Sequence, residues 1–230
     1  MTGKRAQNYD FFVTKRQKKI TFLKINFGVY ESCIFLQKNC VFLFRIMIDN
    51  EKILKKYYRN NEKAYELLVK HSISVRDYAL EILDKHPEYK LPDRNFVSEA
   101  AMLHDIGIFL CHAPDIHCYG EHHYIEHGYL GAEILRAENL PKHALVCERH
   151  TGAGISLESI LKNKLPLPHR EMLPVSIEEK LICYADKFFS KSNPDIMFTP
   201  QEIRERLLRF GEEEVAKFDA MHRMFGTFAL

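Results

Sequence analysis

An all-helical bundle is the fold class this sequence predicts, and three observations predict it. From about residue 50 onward, apolar residues recur at steps of three and four, the period of an amphipathic helix. The segments marked in this way are separated by capping residues, prolines and glycines at the places where helices start and stop. No run of eighteen or more apolar residues occurs, because the most apolar stretch, residues 33–48, is broken by Gln37, Lys38, Asn39 and Arg45. A membrane span is therefore not expected. With 230 residues, 46% of them hydrophobic and 28% charged, the chain is long enough to bury one sizeable core.

Residues 1–46 form a leader that mixes basic and aromatic side chains without a sustained helical stripe. It carries nine Lys or Arg against Asp10 and Glu31, a net of +7, which leaves 24 basic and 29 acidic residues, a net of −5, for the remainder. The leader is expected to be an extended or poorly ordered tail, or an upstream extension from a mis-called start, with a short accessory hairpin as the lesser alternative. The body, residues 47–230, opens at MIDNEKILKKYY with a helix.

Over residues 61–85, Ala64, Leu68, Val75, Tyr78 and Ile82 define one buried stripe, and His71 lies on it. That helix ends before Pro87, and HPEYKLPDRN is a loop. The next helix begins near Asn95 or Ser98 and places Val97, Ala101, His104 and Ile108 on one face, weakening at Gly107. A polar, histidine-rich loop over residues 111–121 leads to a helix that holds Ile125, His127, Leu130, Gly131 and Ile134 and stops near Asn139. Residues 142–150 form a short helix closed by Gly152 and Gly154. After a turn at 156–161, LPLPHREMLP is an extended connector. Ser176 then caps SIEEKLICYADKFF, on which Ile182, Asp186 and Phe189 share a face. Thr199-Pro200 opens the final helix, 201–210, and its charged continuation is expected on the surface.

The six cysteines form no CxxC pair and no secretory signal precedes them, which points to a reducing cytoplasm. Cys111 and Cys118 flank His112 and His117, but the spacing fits no common zinc pattern, and Cys147 and Cys183 read as core. The basic excess sits in one end segment and not on a reading element, so no DNA or RNA partner is indicated.

Chemistry is carried by histidines in unusual places. His71, His104, His127 and His150 each fall on an inward stripe or at a helix end. A single buried histidine is more often a satisfied core residue, but four such positions need a common cause. In the adjacent pair His104-Asp105, imidazole and carboxylate leave one helical turn, so both can donate to one metal or the carboxylate can bridge two. Asp186, between Ile182 and Phe189, must be paired or coordinated to offset its desolvation.

The ordered set HSISV, LHDIG and YADK, carrying His71, His104, Asp105 and Asp186, resembles the HD superfamily in its HDIG form over residues 61–192. The resemblance implies a compact helical HD-type bundle and a metal-dependent phosphohydrolase. His127 in EHGYLGAEIL and His150 in ERHTGAG resemble the additional ligands of two-metal members, the HD-GYP phosphodiesterases and the symmetrical diadenosine tetraphosphate hydrolases. The GYP signature is absent, and the His-Thr-Gly run is nearer to the latter group.

The metal ligands expected are thus His71, His104, Asp105, His127, His150 and Asp186, holding two divalent ions from among Fe, Mn, Zn, Ni and Co. His104 and Asp105 are also the expected catalytic centre. Lys187 and Arg149, each beside a ligand in sequence, are candidates to neutralise phosphate charge, and His122, with His123, is a candidate general acid at the mouth. The expected activity is hydrolysis of a phosphate ester or anhydride of a small substrate, a nucleotide foremost, by a metal-activated hydroxide. A di-iron oxygenase and a catalytically silent nucleotide sensor are the alternatives that use the same ligands. The sequence leaves the oligomeric state open.

Overall fold

The computed structural model describes residues 48–89 and 92–226, together with the backbone of four strands within residues 7–45. The chain divides into two units, Met1–Asp49 and Asn50–Leu230. In the first, β1 (Gln7–Asp10), β2 (Thr21–Phe27), β3 (Tyr30–Gln37) and β4 (Cys40–Arg45) pair in chain order as an antiparallel meander. Phe27 lies opposite Tyr30 and Gln37 opposite Cys40, so β2–β3 and β3–β4 are adjacent hairpins. These strands lie in the leader, for which the sequence favours an extended or poorly ordered tail or an upstream extension over an accessory hairpin.

The second unit is helical. Helix α1 (Asn50–Tyr58) buries Ile53, Leu54 and Tyr58. Asn61 caps α2 (Glu62–Lys85) by accepting a hydrogen bond from the Ala64 N–H at 3.2 Å. Ala64, Leu68, His71, Val75 and Ile82 of the stripe read from the sequence are buried, while Tyr78 is only partly so and Ala79 is buried beside it. Helix α3 (Arg94–Leu103) starts earlier than expected, because Asp93 accepts from the N–H groups of Asn95 and Phe96. It also stops earlier. The chain leaves the α-helix at His104 and continues as a 3₁₀ helix, Ile106–Leu110, so Ile108 does not extend the face of Val97 and Ala101.

The loop that follows holds a two-stranded hairpin, β5 (His112–Ala113) and β6 (Cys118–Tyr119), around a 3₁₀ turn. Cys111 and Cys118 are buried thiols, their pKa values pushed up by burial to about 12 and about 11. Helices α4 (His127–Ala137), α5 (Pro141–Arg149) and α6 (Leu157–Lys162) follow.

Helix α7 (Ile177–Asp186), capped by Ser176 as expected, is the axis of the unit: Leu181, Ile182, Cys183, Tyr184, Ala185 and Asp186 are buried in succession. A helix apolar on nearly all sides has to be surrounded, and α2, α3, α5 and α9 surround it. Helix α8 (Pro200–Leu208) begins with a Thr199–Glu202 capping box. It is not the last helix. The charged continuation forms α9 (Glu212–Phe225), which buries Phe218, Met221 and Phe225 against Tyr184 and Phe188. The acidic first turn, Glu212 to Glu214, masks a stripe at three- and four-residue spacing. Each buried phenylalanine contributes about 1.5–3 kcal/mol of transfer free energy, which outweighs the polar composition of the segment. Among the described residues, no helix is long and apolar enough to cross a membrane.

Candidate metal centre

Helix ends assemble the site. His71 lies within α2, while His104 and Asp105 follow α3, His127 opens α4, His150 follows α5 and Asp186 closes α7. All six are at most 3% exposed. One local device recurs three times: the Nδ1 of His104, His127 and His150 lies 2.7, 2.6 and 2.7 Å from the carbonyl oxygen three residues earlier, on Ala101, Tyr124 and Cys147. Nδ1–H donates to that carbonyl, which fixes the tautomer and turns the Nε2 lone pair inward.

The inward atoms converge on Asp105. Its Oδ2 lies 3.3 Å from His71 Nε2 and 3.2 Å from His104 Nε2; its Oδ1 lies 3.3 Å from His127 Nε2 and 3.1 Å from His150 Nε2. Asp186 Oδ1 stands 3.0 Å from His71 Nε2 and 3.3 Å from His104 Nε2. Two groups of possible ligands result, His71–His104–Asp105–Asp186 and Asp105–His127–His150, with Asp105 in both.

This arrangement fits bound metal. The Nε2 atoms of His127 and His150 face each other at 3.1 Å. With both Nδ1 atoms donating, two neutral imidazoles would oppose lone pair to lone pair beside a carboxylate oxygen. Asp105 Oδ2 is fully buried among imidazole nitrogens, with the Lys191 ammonium, 3.1 Å away, as a nearby positive charge. A lone-pair cluster of this kind is stable only around positive charge, and nitrogen with carboxylate oxygen suits a first-row transition metal or zinc.

The electrostatics agree. Asp105 is held well below the usual carboxylate range: burial opposes this, but His104 and Lys191 prevail. Asp186 is likewise lowered, against burial, by Lys187 and Lys191. His104 rises to about 9 because Asp105 and Asp186 outweigh its burial, whereas burial drives His150 down to about 3.

Sequence reasoning missed Lys191. Its Nζ lies 3.1 Å from Asp105 Oδ2 and 3.3 Å from Asp186 Oδ1. Five residues beyond Asp186 matches no helical period, and only the turn after α7 brings it back. Lys187 Nζ pairs with Asp186 Oδ2 at 2.6 Å. Two adjoining clefts, of about 520 and 270 Å³, open over the centre and share Tyr124, Asp186, Lys187, Lys191 and Arg206 in their walls. His127 and His150 line the smaller one.

The structure draws two other predicted residues elsewhere. Arg149 Nη1 pairs with Glu179 at 2.8 Å, and His122 Nδ1 lies 3.3 Å from Glu126; neither lines these clefts. His123 serves as the N-cap of the 3₁₀ turn Tyr124–Glu126.

Gly107 permits the close approach that brings Asp105 to His127. A Cβ there would overlap His127 O and Gly131 N and stand 2.8 Å from Gly131 Cα. Gly107→Ala is therefore expected to destabilise the fold by about 1–3 kcal/mol, the range for overpacking, and to lower bound metal. Urea denaturation paired with metal analysis checks this, and an unchanged midpoint with full metal content contradicts it.

The HD domain family pattern matches residues 68–190. An uncharacterised protein of Methanocaldococcus jannaschii is 39% identical over 146 residues, 62% of this chain and 78% of that protein. Two proteins named tRNA (cytidine(56)-2'-O)-methyltransferase are also similar. The one from Picrophilus torridus is 35% identical over 131 residues, 56% of this chain, and the one from Thermoplasma volcanium is 30% identical over 185 residues, 80% of this chain. The chain covers 33% and 48% of those two proteins. Among solved structures, the HD domain of the L. monocytogenes phosphodiesterase PgpH is similar with a TM-score of 0.45 at 19% identity, covering 74% of this chain and 86% of that chain.

Proposed function

The chain belongs to the HD domain family of metal-dependent phosphohydrolases, and on that footing we propose that it hydrolyses a phosphate ester or anhydride of a small nucleotide at the Asp105 centre. The observation that carries this reading is the sharing of Asp105 between two groups of buried ligands. Two ions held by these residues would supply a hydroxide near neutral pH and polarise a phosphoryl oxygen.

The chain's own residues do the rest. His104, His127 and His150 are held by their carbonyl partners with Nδ1 outward and Nε2 turned toward the centre. An approaching phosphate meets Lys187 and Lys191 beside Asp186, so the repulsion from the two carboxylates is offset on the cleft side. Lys187 is assigned the neutralising role, and Lys187→Ala is expected to lower kcat by about 10- to 100-fold with metal content intact, the size usual for one lost hydrogen bond to a charged group. Steady-state kinetics with metal analysis checks it; loss of metal on this substitution contradicts the role.

Metal analysis paired with a phosphate-release panel, run with Mn, Fe, Ni, Co and Zn, tests the reading as a whole. Absence of bound metal, or oxygen uptake in place of phosphate release, would overturn it. A second reading is favoured by the methyltransferase relatives: a phosphate carried by RNA. Including RNA ends and tRNA in the same panel separates the two substrates.

A further inference from the structure

Arg206 differs from the other cations of the clefts. Lys187 and Lys191 are engaged by Asp186 and Asp105. Arg206 lines both clefts, yet among the described residues no oxygen accepts a hydrogen bond from it and no carboxylate pairs with it. Of the carboxylates nearest in sequence, Glu205 accepts from Gln201 Nε2 at 3.1 Å, and Glu202, one turn before Arg206, is occupied at the start of α8. Its Oε2 accepts from the Thr199 N–H at 2.7 Å and from the Thr199 hydroxyl at 2.8 Å.

The guanidinium nevertheless has a fixed place. Its Cζ stands 4.1 Å from the centroid of the Phe198 ring. The platform is itself tied down, because the Phe198 N–H donates to the Phe188 carbonyl at 2.8 Å, just past the end of α7. Ile203 and Leu207, both buried, anchor α8 beside it. Stacking on a ring orients the guanidinium plane while leaving its N–H edge open to a ligand. An oriented, planar cation that makes no direct ion pair among the described residues and is shared by two clefts over the candidate metal centre is suited to gripping two oxygens of one phosphate.

We infer that Arg206, seated on Phe198, is a substrate-binding residue that takes the phosphate oxygens of the molecule entering these clefts. It lies beyond the residues matched by the family pattern. Its role rests on the proposed phosphate chemistry of the site, but its affinity for phosphate can be read without turnover.

The test uses the full metal-loaded chain, titrated calorimetrically with inorganic phosphate, alongside kinetics on whichever phosphate substrate the wild type turns over. Arg206→Ala is expected to weaken phosphate binding by about 10- to 100-fold and to raise KM similarly, with kcat within about threefold and metal content unchanged. Arg206→Lys should recover little, because an ammonium lacks the planar fork, and Phe198→Leu should give an intermediate loss. Phosphate affinity and KM within twofold of wild type, or loss of metal in Arg206→Ala, would overturn the assignment. Phosphate binding that depends on Arg206 in a protein that hydrolyses nothing would sink the hydrolase reading and sustain this one.

Discussion

Asp105→Ala protein is expected to purify with neither metal ion and with phosphate release reduced by more than about a thousandfold, since the enzyme would lose the hydroxide that a bound cation provides at neutral pH. The size of the effect follows from position. His71 and His104 meet one carboxylate oxygen of Asp105 while His127 and His150 meet the other, so one substitution removes a ligand from both groups. His71→Ala, by contrast, removes a ligand from one group alone and should leave the Asp105–His127–His150 group able to retain part of the metal. Elemental analysis and kinetics on the two variants, with circular dichroism to verify folding, distinguish these outcomes. Two ions per chain in folded Asp105→Ala protein would refute the bridging role.

What the sequence revealed and what it hid follow from the same geometry. The six ligand candidates were legible because a polar side chain on an apolar helical stripe is conspicuous, and His71, His104 and Asp186 all interrupt such stripes. Capping chemistry was equally plain at Ser176 and Thr199, where the side chain accepts from the third N–H as expected. Adjacency in sequence was a poorer guide. Arg149 precedes a ligand, but neighbouring positions on a helix point about 100° apart, and it turns to Glu179. Lys187 stays at the centre because α7 ends at Asp186. Lys191 and Arg206 carried no local signal, since a chain reversal and a separate helix bring them to the clefts. Helix α9 was hidden by its own charge: three glutamates in the first turn suit the positive end of a helix dipole and need not mean a solvated helix.

Removing metal is expected to lower the melting temperature by about 5–10 °C. Metal present at a hundred times its dissociation constant stabilises the folded chain by about 2.7 kcal/mol, and in a domain of this size each kcal/mol moves the midpoint by about 2–4 °C. The structure gives a reason for the folded state to need the cation. Four imidazoles and two carboxylates crowd the interior where α2, α3, α4, α5 and α7 meet. Lys191 offsets part of that charge, which is why the metal-free protein should still fold, at lower stability. Scanning calorimetry before chelation, after chelation and after metal is restored measures the shift, and Asp105→Ala, lacking the shared ligand, should show little of it. Identical midpoints for stripped and reloaded wild-type protein would mean that these buried side chains are satisfied without a cation, and the assignment of the centre would fail with them.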